Sequence, residues 1–114
     1  MGTFTTNGIG YQNYATIRTS TGSALAYTYT GPRSQSVASG WVGSRGRLFT
    51  GGGALSCEGA NSYSTVTVGA GAYWSGTSCT RASSGNWYSY GVSLTYTGSG
   101  YATTYTFQSP QQGS

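Results

Sequence analysis

Glycine occupies 20 of the 114 positions and interrupts nearly every window long enough to form a helix. Between the glycines, apolar and polar side chains alternate with the period of two that is typical of a β-strand. In one segment Leu25, Tyr27 and Tyr29 fall on one face, and alanines and threonines fall on the other. The dipeptide Gly31-Pro32 is predicted to end this strand. The pattern predicts an all-β fold.

Two hairpins are predicted from strands that flank glycine-rich turns. Residues 47–50 and 54–57 are separated by three consecutive glycines. Near the C-terminus, one long strand is predicted to start at Asn86-Trp87-Tyr88, and the large side chains at even positions from 88 to 96 share a face. After a Gly-Ser-Gly turn, the tyrosines and phenylalanine of residues 101–107 share the corresponding face.

Further strands are predicted near residues 3–5, 14–19 and 65–68, which brings the total to about seven or eight short strands. This spacing favours a single antiparallel β-sandwich, or a small barrel, over residues 1–110. Residues 111–114 are expected to form a flexible C-terminal tail.

The two cysteines, Cys57 and Cys79, are predicted to form one disulfide, and the alternative is a pair of buried free thiols in a cytosolic protein. A chain without lysine, with few acids and with abundant glycine, serine, threonine and tyrosine is typical of a secreted bacterial protein. We therefore expect an extracellular location. Since Met1 leads straight into polar sequence, it is interpreted as an initiator on a mature chain.

Charged side chains make up 5% of the chain, and they are five arginines and one acid, Glu58. Without histidine or aspartate, the sequence has no His-based triad, no pair of carboxylates for glycoside cleavage and no usual zinc or calcium motif. These exclusions predict a protein that is not an enzyme and holds no cofactor or metal.

The formal net charge of +4 comes from a shortage of acids rather than from a basic run. It favours weak attraction to anionic surfaces such as cell-wall polymers, and it is not the signature of a nucleic-acid-binding protein. No apolar run approaches the roughly 20 residues that a membrane-spanning helix needs.

The segment 41–47 brings Trp41, Arg45 and Arg47 close together among glycines. Tryptophan and arginine are enriched at binding hot spots, so this segment is a candidate recognition loop. The alternative interpretation places Trp41 in the core and both arginines on a solvated strand face.

Tyr73 and Trp74 lie inside the predicted disulfide loop, between glycines and serines. Aromatic rings in such a loop are typical of a protein-binding paratope, and they also suit stacking on sugar rings. The alternative is that Trp74 packs over the disulfide. A last candidate, Trp87, lies on the face opposite the row at positions 88–96. It is exposed if that row faces the core, unless a second sheet or a partner covers it.

The segments 39–49 and 85–92 resemble small secreted β-proteins of actinobacteria. Tyr11-Gln12-Asn13-Tyr14 and the segment 87–92 are similar to motifs of lactococcin-type bacteriocins, although here they come in the opposite order and without the usual histidines. The size and composition also resemble the small adaptor subunits of secreted umbrella-like toxin particles.

The sequence therefore predicts a secreted, non-enzymatic binding protein, a recognition or adaptor module of an extracellular assembly such as an antibacterial toxin complex. Its partner is expected to be another secreted or cell-surface protein, or a cell-wall glycan. Recognition is expected through aromatic and arginine-bearing loops or through an edge strand. One alternative is a bacteriocin-like protein that acts at the target cell envelope, and a second is a structural or filament subunit.

Overall fold

A computed structural model describes residues 2–113; the predicted initiator Met1 and the last residue of the predicted tail, Ser114, lie outside the described residues. The described chain forms strands and no helix. The strands are β1 (Gly2–Thr6), β2 (Ile9–Ser20), β3 (Ser23–Pro32), β4 (Val42–Arg45), β5 (Arg47–Thr50), β6 (Leu55–Glu58), β7 (Ser62–Tyr63), β8 (Trp74–Thr77), β9 (Asn86–Tyr88), β10 (Val92–Tyr96), β11 (Tyr101–Tyr105) and β12 (Gln112–Gly113).

The strands form three four-stranded antiparallel sheets. Sheet A has the order β1-β2-β3-β8, sheet B has the order β11-β10-β4-β7, and sheet C has the order β12-β9-β5-β6. The long hairpin of β2 and β3 gives sheet A enough length to pack against both of the other sheets. The predicted all-β sandwich is confirmed, with more strands than the seven or eight expected.

Two apolar clusters fill the sandwich, one beneath each of the shorter sheets. Between sheets A and B, the core contains Ile9, Tyr11, Val37, Val42 and Val68. Between sheets A and C, it contains Ile17, Ala24, Ala26, Leu48, Cys57 and Trp87. The predicted disulfide is confirmed, and its Cys57 belongs to the second cluster, so the cross-link ties sheet C to the segment after β8.

Glycines occupy the two places where the chain passes between sheets B and C. A Cβ atom on Gly46, between β4 and β5, would lie 2.5 Å from the backbone nitrogen of Ser78. A Cβ atom on Gly91, between β9 and β10, would lie 1.6 Å from Thr28 Oγ1. Because a side chain at either position would push the two layers apart, only glycine allows this close approach.

The prediction of one long strand from Asn86 to Tyr96 is wrong, because the chain changes sheets within this segment. β9 ends at Tyr88 and pairs with β5 and β12, whereas β10 begins at Val92 and pairs with β11 and β4. The alternation of large side chains continues through the break, so the pattern alone did not reveal it.

Both predicted hairpins are confirmed: β5 pairs with β6, and β10 pairs with β11. The prediction that Gly31-Pro32 ends the third strand is confirmed: β3 ends at Pro32, which is its last residue and lies opposite Tyr11. The neighbouring Arg33 donates its amide N–H to the Gly10 carbonyl. Because hydrogen-bonded and non-hydrogen-bonded pairs alternate along an antiparallel ladder, the backbone N–H position of Pro32 points away from β2. The missing N–H of proline therefore costs this ladder no bond.

Within the expected C-terminal tail, Gln112 and Gly113 pair with β9, opposite Trp87 and Asn86. The side-chain amide of Gln112 also donates to the carbonyl of Ile17, at 3.3 Å. The flexibility of residues 111–114 stays a prediction.

A chain of buried polar side chains crosses the interior between sheets A and B. Asn13 Nδ2 donates to Ser93 Oγ at 2.9 Å, and Ser93 Oγ lies 2.6 Å from Thr30 Oγ1. Ser44 Oγ lies 2.9 Å from Thr30 Oγ1 and from the Trp74 carbonyl oxygen.

Each hydroxyl in this chain has one proton to donate. Ser44 Oγ is the donor toward both Thr30 Oγ1 and the Trp74 carbonyl oxygen, so these two acceptors share its proton. Between Ser93 and Thr30, either hydroxyl can donate. Linked bonds of this kind polarise one another.

Candidate functional site

The outer faces of sheets B and C form one continuous surface. On β10, Ser93 points inward to Asn13, so Val92, Leu94 and Tyr96 point outward. The strand register then places further side chains on the same outer face. The residues of this surface that make ring contacts, here called the aromatic face, are Trp41, Tyr63, Tyr96, Tyr101, Tyr105, Arg47, Phe49, Tyr88 and Tyr90.

Four rings form one end of the aromatic face. The ring centroids of Trp41 and Tyr96 are 5.4 Å apart, those of Tyr96 and Tyr101 are 5.7 Å apart, and those of Tyr63 and Tyr101 are 4.8 Å apart. Gly43 lies opposite Tyr63 on the neighbouring strand, where a side chain would crowd the Tyr63 ring. The Tyr101 hydroxyl donates to the carbonyl of Gly40 at 2.6 Å, which holds this ring in place.

Arg47 organises the other end of the aromatic face. Its guanidinium carbon lies 4.4 Å from the centroid of the Tyr90 ring, 4.9 Å from that of Tyr105 and 5.3 Å from that of Phe49. Its Nε donates to the Tyr90 carbonyl at 3.0 Å. Since a cation over a ring face is attracted to it, one side chain fixes rings from three parts of the chain.

Arg45 lies between these two groups and is paired with the single acid. Arg45 Nε lies 3.2 Å from Glu58 Oε2, and Arg45 Nη1 donates to Asn61 Oδ1 at 2.9 Å. The two charged side chains are 27% and 35% exposed, so solvent screening leaves the pair worth less than about 1 kcal/mol.

The structure therefore places three predicted site residues, Trp41, Arg45 and Arg47, on one face. It also corrects their setting. The segment 41–47 is not a loop: it contributes β4 and the start of β5. Trp41 is half-buried and packs against the core cluster beneath sheet B, and both arginines lie on a strand face, as in the alternative interpretation.

Tyr73 and Trp74 point to opposite sides of sheet A. Trp74 points inward, packs against the cluster beneath sheet B and donates its indole N–H to the Ser62 carbonyl at 3.0 Å. Tyr73 points outward, where its ring meets those of Tyr14 and Tyr29 edge-on. The alternative in which Trp74 packs over the disulfide is wrong in its location: Trp74 packs against the cluster beneath sheet B, and the tryptophan that shares a cluster with Cys57 is Trp87.

Trp87 is a core residue. It is 4% exposed and lies in the cluster that contains Leu48 and Cys57. The expectation of an exposed Trp87 is wrong because sheet A covers this face of sheet C, which is the alternative of a second packed sheet.

Sequence reasoning missed the most exposed aromatic side chains. Tyr101, Tyr105 and Phe107 are 45%, 58% and 70% exposed. The sequence predicts that these three residues share a face with Val92 and Leu94. The strand register confirms this for Tyr101 and Tyr105, and the shared face is the outer face of sheet B. A turn-bounded last strand is a signal for a sheet edge, and it marks these residues as candidates.

The outer face of sheet A holds a second tyrosine cluster that the sequence did not single out. The rings of Tyr14 and Tyr29 stack at 4.7 Å, and the Arg18 guanidinium lies 5.4 Å from the Tyr27 ring centroid. Burial raises the pKa of Tyr14 above its ordinary value, and the nearby Tyr29 and Tyr73 raise that pKa further.

Comparison of the chain with protein-family models, curated proteins and solved structures finds no match. Within residues 2–113, no three metal-ligating His, Cys, Asp or Glu side chains come together. The same residues include no helix long and apolar enough to cross a membrane.

Proposed function

We propose that this chain is a secreted, non-enzymatic recognition module that binds another protein of an extracellular assembly through the aromatic face. The observation that carries the proposal is the continuity of this face. Rings and one arginine extend from Trp41 at one end to Tyr88 at the other, and Tyr63, Tyr101 and Tyr105 are exposed at its surface.

The chemistry of the face suits a protein partner. Tyrosine and tryptophan have only two side-chain torsions, so they supply contact area at a small entropic cost. Arginine is also enriched at binding hot spots, but its longer side chain binds at a small entropic cost only where it is already ordered. Here the ordering is visible, since Arg47 is held by three rings and Tyr101 by the Gly40 carbonyl. Such preorganisation reduces the entropy lost on binding.

The disulfide supports the extracellular part of the proposal, because such cross-links persist in oxidising compartments. The charge supports a partner with acidic groups. The single acid, Glu58, is paired with Arg45, which leaves the formal net charge of +4 to the other arginines.

A pull-down tests this function. The purified protein, immobilised through its C-terminus, is incubated with the culture supernatant of the producing organism. We expect one protein to be recovered in a fixed ratio to the bait. Recovery of no such protein, or turnover of a substrate that is lost in the Glu58→Gln variant, contradicts the proposal.

The alternative function is an antibacterial protein that acts at the target cell envelope. The observation that favours it is the second tyrosine cluster, where Arg18 and stacked rings lie on the outer face of sheet A in a chain with a net charge of +4. Growth inhibition of related bacteria by the purified protein alone, with a loss of potency in Arg18→Ala, is the result that this alternative requires.

A further inference from the structure

Strand β11 is a free edge of sheet B. It is the last strand in the sheet order, and its ladder partner is β10. The amide of Thr106 donates to the Gly91 carbonyl, and the amide of Thr97 donates to the Gly100 carbonyl. These two bonds fix the alternation of the ladder.

The alternation determines which backbone groups point outward. Ala102 and Thr104 use their N–H and C=O groups for β10, so those of Tyr101, Thr103 and Tyr105 point away from the sheet. The same three residues are the exposed ones of the strand. A row of backbone donors and acceptors is therefore accessible to another strand.

The usual protections of an edge strand are absent from β11. Native sheets protect such edges with charged side chains, proline, bulges or a covering segment. Residues Tyr101–Tyr105 have no charge and no proline, and their register with β10 is regular over all five positions.

The outward-facing residues of β11 are symmetric about its centre. Tyr101 and Tyr105 lie two positions before and after Thr103 on the same face. An antiparallel copy of this strand would therefore place Thr103 opposite Thr103, and Tyr101 of each copy opposite Tyr105 of the other. Cross-strand aromatic pairs of this kind stabilise antiparallel sheets.

We propose that β11 is a dimerisation strand, which pairs antiparallel with β11 of a second copy of this chain about a two-fold axis at Thr103. Each of the three opposed pairs exchanges backbone hydrogen bonds, and the two B sheets become one sheet of eight strands. The uncharged strand brings no like charges together at the axis, and the aromatic face continues across the dimer. This proposal stands independently of the proposed function.

The available area predicts a weak dimer. Tyr101, Tyr105 and Phe107 are 45%, 58% and 70% exposed, so two copies offer at most roughly 700 Å² of ring surface. Stable interfaces bury at least about 1,200 Å², so we expect a concentration-dependent dimer with micromolar affinity.

Sedimentation velocity of the purified protein between about 1 μM and about 1 mM tests the proposal. We expect the mass to rise from the monomer value of 11.8 kDa toward twice that value. In Thr103→Pro, the lost N–H is one that β10 does not use, so the hairpin should persist while the dimer weakens about tenfold or more.

Two lysine variants distinguish a specific effect at the edge strand β11 from a general effect of added charge. Thr103→Lys places like charges opposite each other at the axis and should weaken the dimer as proline does. Thr3→Lys adds the same charge to an exposed position on edge strand β1 and should leave the dimer unchanged.

Three results would overturn the proposal: a wild-type protein that stays monomeric at the highest concentration, variants at Thr103 that dimerise normally, or a Thr3→Lys variant that is equally impaired. A monomeric wild type whose capture of a supernatant protein is abolished by Thr103→Pro would assign the edge to a segment of another protein. If the wild type is monomeric and Thr103→Pro does not affect capture, the proposal of a dimer is contradicted and the proposed function is not.

Discussion

The guanidinium group of Arg47 lies over the ring of Tyr105, 4.9 Å from its centroid, and so connects the first residue of β5 to the edge strand β11. The two residues belong to different sheets. Together with the contacts of Arg47 to Tyr90 and Phe49, this packing holds sheets B and C in one surface. The stability of the aromatic face therefore depends on one side chain.

Replacement of this arginine tests the packing. Arg47→Ala removes three cation–ring contacts and should cost about 1–2 kcal/mol, or about 5–8 °C in Tm. Arg47→Lys keeps the charge but loses the flat guanidinium, so an intermediate loss is expected. Thermal melts followed by circular dichroism measure both, and a lysine variant as stable as the wild type would contradict the role of stacking.

The buried hydroxyl chain gives a prediction with an internal control. Thr30→Val removes the hydroxyl between Ser93 and Ser44 and leaves both with an unmade bond, so we expect a loss of about 1–3 kcal/mol. Thr28 is equally buried, but its hydroxyl has no hydrogen-bond partner in the described structure. Thr28→Val should therefore be neutral or stabilising. Equal losses in the two variants, measured by urea unfolding, would refute the hydrogen-bonded chain.

The raised pKa values of two tyrosines predict how the stability depends on pH. Burial raises the pKa of Tyr11 above its ordinary value of 10.0, and burial together with Tyr29 and Tyr73 raises that of Tyr14. A raised phenol pKa means that folding favours the neutral form, so this stability is fully present below pH 10 and is lost as the pH rises through the folded pKa.

Without histidine, the Tm should change little between about pH 6 and about pH 8.5 and should fall above about pH 10. The fall should be smaller in Tyr14→Phe, which has no phenol to ionise at that position. A series of thermal melts checks this, and a Tm that shifts by more than about 5 °C within the neutral range would show an ionisation that the account lacks.

The disulfide should be a large part of the stability. It closes a loop with a sequence separation of 22, for which the chain-entropy model gives about 3 kcal/mol. Reduction should therefore lower the Tm by roughly 12 °C. Because Cys57 shares a cluster with Trp87, the double variant Cys57→Ala/Cys79→Ala should also alter tryptophan fluorescence. A Tm that is insensitive to reduction would contradict this account.

The strands and hairpins could be predicted from the sequence because they depend on local patterns. The division of the second layer into two sheets could not, since it depends on the approach of Gly46 to Ser78 and of Gly91 to Thr28, which lie far apart in sequence. The period-two pattern of apolar and polar residues carries no information about such contacts.

The local pattern also did not determine which face of each strand points to the core. On β3, the large side chains of Tyr27 and Tyr29 are half-buried on the outside, while Ala26, Thr28 and Thr30 face the core. The usual rule places large rings inside. Along β3 the facing backbone approaches too closely for large rings, with Gly46 near Ala26 and Gly91 near Thr28, so small residues fill this part of the interior. The buried rings of Tyr11 and Trp87 lie in the two apolar clusters.

Capture of a supernatant protein by matched variants tests the central claim most directly, namely that the aromatic face is the surface that binds a partner. The double variant Tyr101→Ala/Tyr105→Ala removes two exposed rings from this face, and Tyr27→Ala removes one ring from the opposite face as a control. With folding verified by circular dichroism, the account predicts at least about a tenfold loss of affinity in the double variant and none in the control. Unchanged capture by the double variant, or an equal loss in Tyr27→Ala, would contradict the account.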